Sequence, residues 1–217
     1  MWRFRRALKH AARAEEMLKG ASIRPGRVNI RFLLPWIENA SLEQEDQDLS
    51  ERWAALLASA ASAGGHFAVN HQFPRILATL ARKEARLLDI MFDEGSKSWV
   101  RGSTPKAPDL VSRDSLMDRE QMAKVLGRNH FRWRSNQERD IALEDLINQG
   151  LVRTQQIIDP QSYPALAGKI FAAGQLTPPW PLGADVMVHM RSQFQMTVTG
   201  VHFVIACRAP GSASTAR

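Results

Sequence analysis

From about His71 to Phe92, the residues Phe73, Ile76, Leu77, Leu80, Leu87, Leu88 and Met91 recur at the spacing of one helix face. A stripe of this length is stable in water only when it is covered, so the chain must supply other apolar elements to pack on it. Leu49, Trp53, Leu56, Leu57 and Ala60 form a second stripe, which ends at Ala63-Gly64-Gly65. Ahead of it, Ser41 and Gln44 have capping-box spacing, and Glu43, Glu45, Asp46 and Asp48 put negative charge where a helix dipole favours it. A helix is therefore expected to begin near Ser41. The carboxylates follow successive turns of one helix rather than converging on one ion, so they read as a helix entrance and not as a metal site. Ile30 to Ile37 is apolar nearly throughout, and Pro35 within it predicts a short buried helix starting near the proline, or two short pieces.

The formal net charge of +7 is confined to one segment. Met1 to Arg31 holds nine basic residues against Glu15 and Glu16, and the remaining 20 basic residues are matched by 20 acidic ones. The basicity is thus local, which argues against a generally nucleic-acid-coating surface. Trp2 to Lys19 reads as a helix with Phe4, Leu8, Ala11, Ala14 or Glu15, and Leu18 on its inner face, and with Arg5, Arg6, Lys9 and Arg13 on the opposite one. Gly20 suits its stop, and Pro25-Gly26 makes a turn. Such a helix packs on a core with a solvated charged face, or lies on anionic lipid or phosphate; packing is the more common outcome. Arg5, Arg6, Lys9 and Arg13 are the candidate contacts of the second reading.

Asp93 to Ser112 is rich in Gly, Ser, Pro and Lys without sustained period, and reads as an exposed connection. Beyond it, Leu116 to Leu126 predicts a short helix closed by Gly127. Asn136 to Asn148 predicts another, with Ala142, Leu143, Leu146 and Ile147 inward and Gly150 at its C-cap. Leu151 to Ile158 reads as a strand, and the five prolines between Asp159 and Gly183 mark an irregular insertion. Asp185 to His189 and Phe194 to Val198 alternate around Arg191-Ser192-Gln193, which suggests a hairpin. A terminal helix follows from Thr199 to Arg208. The order helix, helix, strand, hairpin is that of a winged helix. The expected architecture is mainly α (α+β): a helical module over 1–92, a linker over 93–112, a winged-helix-like module over 113–208 with an insertion at 159–183, and a mobile tail over 209–217.

Candidate chemistry is sparse. Glu84 falls on the apolar stripe, where a carboxylate is costly unless paired; an acid-base group is one reading, and pairing with an arginine such as Arg82, or with one from a facing helix, is the expected one. His10, His66, His71, His130, His189 and His202 are scattered. His66 and His71 have no cysteine or paired carboxylate near them in the sequence. No serine has a nucleophile-elbow setting, and no glycine-rich phosphate loop follows a strand. The lone Cys207 fits burial in the last helix and a reducing compartment. No stretch approaches the roughly 20 apolar residues that span a bilayer, and no signal-peptide core follows Met1. A cytoplasmic protein without assigned catalytic, cofactor or metal residues is expected, leaning away from an enzyme.

One cluster combines cations with aromatic rings: Arg128, His130, Phe131, Arg132, Trp133 and Arg134. It could supply phosphate contacts and base stacking. The helix after it opposes that role, because Asn136 to Asn148 carries Glu138, Asp140, Glu144 and Asp145 against Arg139 alone. Arg128, His130, Arg132, Trp133 and Arg134 are kept as candidate nucleic-acid or anion contacts.

Two stretches resemble the Abi-alpha family, a bacterial domain named for abortive infection. The first is Leu34-Pro35-Trp36-Ile37-Glu38-Asn39-Ala40-Ser41-Leu42-Glu43, continuing through Leu49 and Trp53-Ala54-Ala55-Leu56-Leu57-Ala58 to His71, Phe73, Ile76, Leu77, Leu80 and Glu84-Ala85-Arg86-Leu87-Leu88. The second joins Leu143-Glu144-Asp145-Leu146-Ile147-Asn148-Gln149-Gly150-Leu151-Val152 to the run from Met196-Thr197-Val198-Thr199-Gly200 to Cys207. Together they cover most of the chain from about Trp2 to Arg208. The chain departs from the family's pattern in its short lead-in and in the insertion at 159–183. The resemblance implies a helical cytoplasmic protein linked to phage defence, with no catalytic residues to carry over, and together with the sparse chemistry it favours an interaction or sensor protein. A DNA-binding winged-helix regulator is the alternative, and a toxin-like nuclease a third. The expected partner is another protein, with nucleic acid and a membrane surface touched by the basic helix as further candidates, and no cofactor.

Overall fold

The computed structural model describes residues 2–42, 46–62, 69–99, 117–129, 133–158 and 190–210. In chain order these form α1 (Trp2–Gly20), α2 (Ile30–Ala40), α3 (Gln47–Ala61), α4 (Phe73–Thr79), α5 (Arg82–Trp99), β1 (Met117–Asp118), α6 (Arg119–Arg128), α7 (Asn136–Asn148), β2 (Val152–Ile158), β3 (Met190–Met196) and α8 (Val198–Ala206). The protein is mainly helical with one small antiparallel sheet of order β1-β3-β2.

Local hydrogen bonding at helix ends sets most of the boundaries. α1 ends at Gly20 as expected, but the glycine is not its left-handed closing residue. That place is taken by Ser22, whose φ of 56° lets Ile23 N–H donate to Leu18 O at 2.9 Å and Ser22 N–H to Lys19 O at 3.0 Å. These are the two bonds of a Schellman end. The same pair closes α7, here with glycine in the left-handed position as the sequence predicts. Gly150 has φ 70°, Leu151 N–H donates to Leu146 O at 3.0 Å, and Gly150 N–H donates to Ile147 O at 2.9 Å.

α2 starts five residues before Pro35 and runs through it, contrary to both forms expected for this stretch. Asn29 caps it, accepting from Arg31 N–H at 2.9 Å, and Pro35 in the second turn forfeits only one backbone bond. α3 starts at Gln47 rather than near Ser41. Asp46 stands directly before the first turn and accepts from Asp48 N–H at 2.9 Å and Leu49 N–H at 3.3 Å. Ser41 closes α2 instead, donating its hydroxyl to Glu38 O at 2.7 Å.

The long stripe of 71–92 is two helices. Leu80 is extended at φ −75° and ψ 128°, and α5 begins after Ala81. Leu80 remains buried across the break, so the periodicity survives while the backbone turns. Glu84 makes the restart: its carboxylate accepts from Ala81 N–H at 2.9 Å, one half of a capping box. α5 then continues from Asp93 to Trp99, through the first part of the expected connection. Arg208 holds this extra turn, with Nη2 2.8 Å from Asp93 Oδ1 and its guanidinium 4.6 Å from the Phe92 ring centroid.

In the second half, Met117-Asp118 is strand, so α6 begins at Arg119 under an Asp118–Gln121 capping box and passes Gly127 to reach Arg128. The hairpin expected to turn at Arg191-Ser192-Gln193 is not formed. These residues lie inside β3 and pair with Ile157, Gln156 and Gln155 of β2. β3 thus takes the centre of the sheet, with Met117 opposite Phe194 on its other edge. Residues 185–189, the insertion at 159–183 and residues 211–217 lie outside the described residues.

The core is continuous from α1 to α8. Trp36 donates its indole N–H to Trp53 O at 3.0 Å, and the two rings meet edge to face at 6.5 Å. Phe73 meets Phe203 in the same way at 5.4 Å, joining α4 to α8. Residues before the 93–112 segment and after it share this core, with Phe32, Leu56, Leu87 and Leu88 in the same cluster as Leu146, Leu151, Phe194 and Phe203. A second, smaller cluster of Ala14, Leu18, Ala54, Ala58 and Ala61 seals α1 on α3.

α8 is seated by a clasp. Thr197 caps it through Gly200 N–H, donates its hydroxyl to Gly150 O at 2.6 Å, and donates its backbone N–H to Leu151 O at 3.0 Å. Gly200 lies so close to Leu151 that a Cβ there would sit 2.1 Å from the Leu151 carbonyl oxygen. Gly200→Ala is therefore expected to destabilise the fold by about 3 kcal/mol or more, as backbone must move to admit a methyl group. Thr197→Ala should cost about 1–2 kcal/mol through the lost cap. Urea unfolding followed by circular dichroism measures both, and Gly200→Ala within about 0.5 kcal/mol of wild type would contradict the clasp.

Candidate functional site

The aromatic and basic residues between Arg128 and Arg134 sit where α6 gives way to α7. His130, Phe131 and Arg132 lie outside the described residues. Of those described, Arg128 and Trp133 make contacts with α5. Arg128, at the end of α6, places Nη2 3.7 Å from Glu94 Oε2 of α5. Trp133 is half-buried against the core, and the Lys83 ammonium of α5 stands 5.5 Å from its ring centroid. That ammonium also binds Glu138 Oε1 at 2.5 Å, and the other Glu138 oxygen accepts from Arg134 N–H at 2.7 Å. Lys83, and then the Arg134 N–H, hold the Glu138 carboxyl below its usual range. The Arg134 side chain faces solvent. The geometry therefore uses one face of Trp133 for a cation and one of the cluster's charges, Arg128, for α5, leaving less of it for a nucleic acid than its composition suggests.

The N-terminal helix is rotated from the expected orientation. Its buried residues are Ala7, His10, Ala14 and Leu18, while Phe4 and Leu8, expected inward, are 68% and 66% exposed. The reason lies in α3, which offers Ala54, Ala58 and Ala61 to α1. A surface of alanines lets two helices approach closely, and close approach selects small residues on the facing side. Of the expected basic contacts, Arg13 is bound to Glu51 of α3 at 3.0 Å and to Glu16 at 2.9 Å, and Arg6 is half-buried. Arg5 and Lys9 face solvent.

The buried polar groups hold the structure together. Glu84 does not pair with Arg82, which reaches Asp48 Oδ2 at 2.8 Å. Burial raises the Glu84 carboxyl above its usual range, and the Ala81 N–H partly opposes this. Asp89, with no signature in the sequence pattern, binds Arg52 of α3 and lies 3.4 Å from Arg208 beyond α8. Gln195 accepts from Arg153 Nε at 2.9 Å across β2 and β3. Cys207 is buried, and desolvation pushes its thiol up to about 12, so it stays protonated and unreactive. Among the described residues, no group of three His, Cys, Asp or Glu is arranged to hold a metal ion, and no helix is long and apolar enough to cross a membrane.

A family model described as abortive infection alpha matches residues 5–207, nearly the whole chain. No curated protein and no solved structure matches it.

His10 yields a pH dependence. Its imidazole is 5% exposed in the α1–α3 seam, and among the described residues its Nε2 has no hydrogen-bond partner. Burial first, then Lys9 and Arg6, lower its proton affinity, with Glu51 opposing. The folded state thus holds His10 neutral, while the unfolded chain takes up a proton near its ordinary value of about 6.5. The stability that depends on a neutral His10 is present above that pH and is lost as pH falls through it towards the lower folded value. Between about pH 7.5 and about pH 5.5, the melting temperature of wild type should fall further than that of His10→Gln. Equal falls would show that His10 does not contribute.

Proposed function

The chain belongs to the abortive infection alpha family, and from that premise we propose that it serves phage defence by binding or sensing a partner rather than by catalysis. The observation that carries the reading is the employment of its buried polar groups. Glu84 restarts a helix, Asp89 fastens α3 and the end of α8 to α5, Gln195 bridges two strands, and Cys207 is held as a thiol. A catalytic acid, base or nucleophile needs a perturbed group that a substrate can reach. Among the described residues, the carboxyl of Glu84 and the thiol of Cys207, which burial shifts, face packing partners.

A winged-helix regulator is the second reading. Support comes from the order β1, α6, α7, β2, β3 and from the sheet order β1-β3-β2. In such a module α7 would face DNA, and its charges oppose that, with Glu138 further committed to Lys83. A partner protein fits the exposed face of α7, where Ile141 is 51% exposed among Glu144 and Asp145.

Expression in a phage-sensitive bacterial host is expected to reduce plaquing and arrest the growth of infected cells. Single exposed polar-to-alanine changes that keep the fold should each leave protection largely intact. One such change abolishing protection together with toxicity would mark an active site and overturn the binding reading. Full-length protein should also lack steep salt-dependent binding to duplex DNA. Such binding, lost in Arg132→Glu/Arg134→Glu, would favour the regulator.

A further inference from the structure

The rotation of α1 leaves a surface that the core does not use. Seven large apolar side chains stand out as exposed among the described residues, and five of them lie between Phe4 and Leu42. Phe4 and Leu8 are on α1, Ile30 and Leu34 project from one side of α2 at 59% and 54% exposure, and Leu42 follows at 56%. α1 and α2 pack on one another. Isolated exposed apolar residues need no explanation, but their concentration on two adjoining helices does.

The same stretch carries the chain's charge excess. Arg5, Lys9, Arg24, Arg27 and Arg31 are all exposed, and none of them forms a side-chain ion pair with another described residue. The acids of the stretch are mostly engaged: Glu15 binds Lys19 at 2.6 Å, and Glu16 binds Arg13. Glu38, exposed between Leu34 and Leu42, is the exception. Exposed Phe, Leu and Ile beside uncompensated Arg and Lys are the chemistry of an anionic bilayer surface. There the cations meet headgroup phosphates, and the apolar side chains enter the boundary of the acyl region.

We propose that α1 and α2 together form a peripheral docking face for anionic lipid. Charge complementarity selects the occupant. A nucleic acid would satisfy the five cations but would leave Phe4, Leu8, Ile30 and Leu34 in water. A neutral apolar partner would leave the cations uncompensated. The inference stands on surface chemistry alone and does not require the defence role.

The full chain should co-sediment with phosphatidylglycerol-containing vesicles, much less with phosphatidylcholine vesicles, and the binding should weaken with added salt. Phe4→Ser/Leu8→Ser leaves the charge unchanged and touches only exposed side chains, so its circular dichroism should match wild type. Its binding should fall at least about tenfold. Arg5→Gln/Lys9→Gln should also weaken binding. Leu34→Ser on α2 is a second reading of the apolar component should the α1 variant alter the fold. Failure to bind anionic vesicles would overturn the proposal. So would binding that depends on the cations but not on Phe4, Leu8 or Leu34, with equal affinity for duplex DNA, which would identify a phosphate surface instead.

Discussion

The fold depends on how deeply α8 is seated, and this is decided by the contact between Gly200 and the Leu151 carbonyl. α8 is nine residues long, with Gly200, Val201, Phe203, Val204 and Ala206 all buried. So short a helix has little stability of its own and exists because the core surrounds it. The absence of a side chain at Gly200 lets α8 rest on the turn after α7, and Thr197 fixes it there by capping α8 and bonding Gly150 and Leu151. From that seat, Phe203 reaches Phe73 and the end of the helix reaches α3 and α5. The last helix of the chain thereby joins the first helices to the sheet.

Charged groups then fasten what apolar packing brings together. Asp89 lies where α3, α5 and the end of α8 meet, with Arg52 only 13% exposed beside it. Partly desolvated pairs of this kind contribute modestly when complete but leave a costly charge behind when one partner is removed. Glu138 does similar work between α5 and the start of α7. An arrangement that spends its interior polarity on joints differs from an active site, where the same groups would be aimed at an opening. This is the physical support for the proposal that the protein acts by binding.

Helix existence was largely legible, because an apolar stripe at helical spacing has few alternative explanations. α7 matched its expected span, and Gly150 took the left-handed position that its place after the helix requires. Boundaries were less legible. Ser41 and Asp46 are both capable caps, and only the position of the first turn decides which acts. Leu80 keeps the phase of a stripe across a break in the backbone, so a continuous pattern concealed two helices. The alternation around Arg191 fitted a hairpin turn, yet those residues pair with β2, because strand partners are chosen across the chain and not along it. In the candidate site, the sequence located the Arg128–Arg134 cluster. It could not indicate that Lys83 covers Trp133 or that Glu94 engages Arg128.

The sequence by itself determined the family, the helical character, the confinement of charge to the first 31 residues and the glycine that ends α7. These follow from composition, local spacing and backbone sterics, which act over a few residues. Tertiary structure alone decided which face of α1 is buried. Periodicity offered Phe4 and Leu8 to the core. The alanines of α3 demanded a closer approach than those side chains permit, so Ala7 and His10 turned inward beside the expected Ala14, and the large apolar residues were left facing water in the stretch that carries the excess cations.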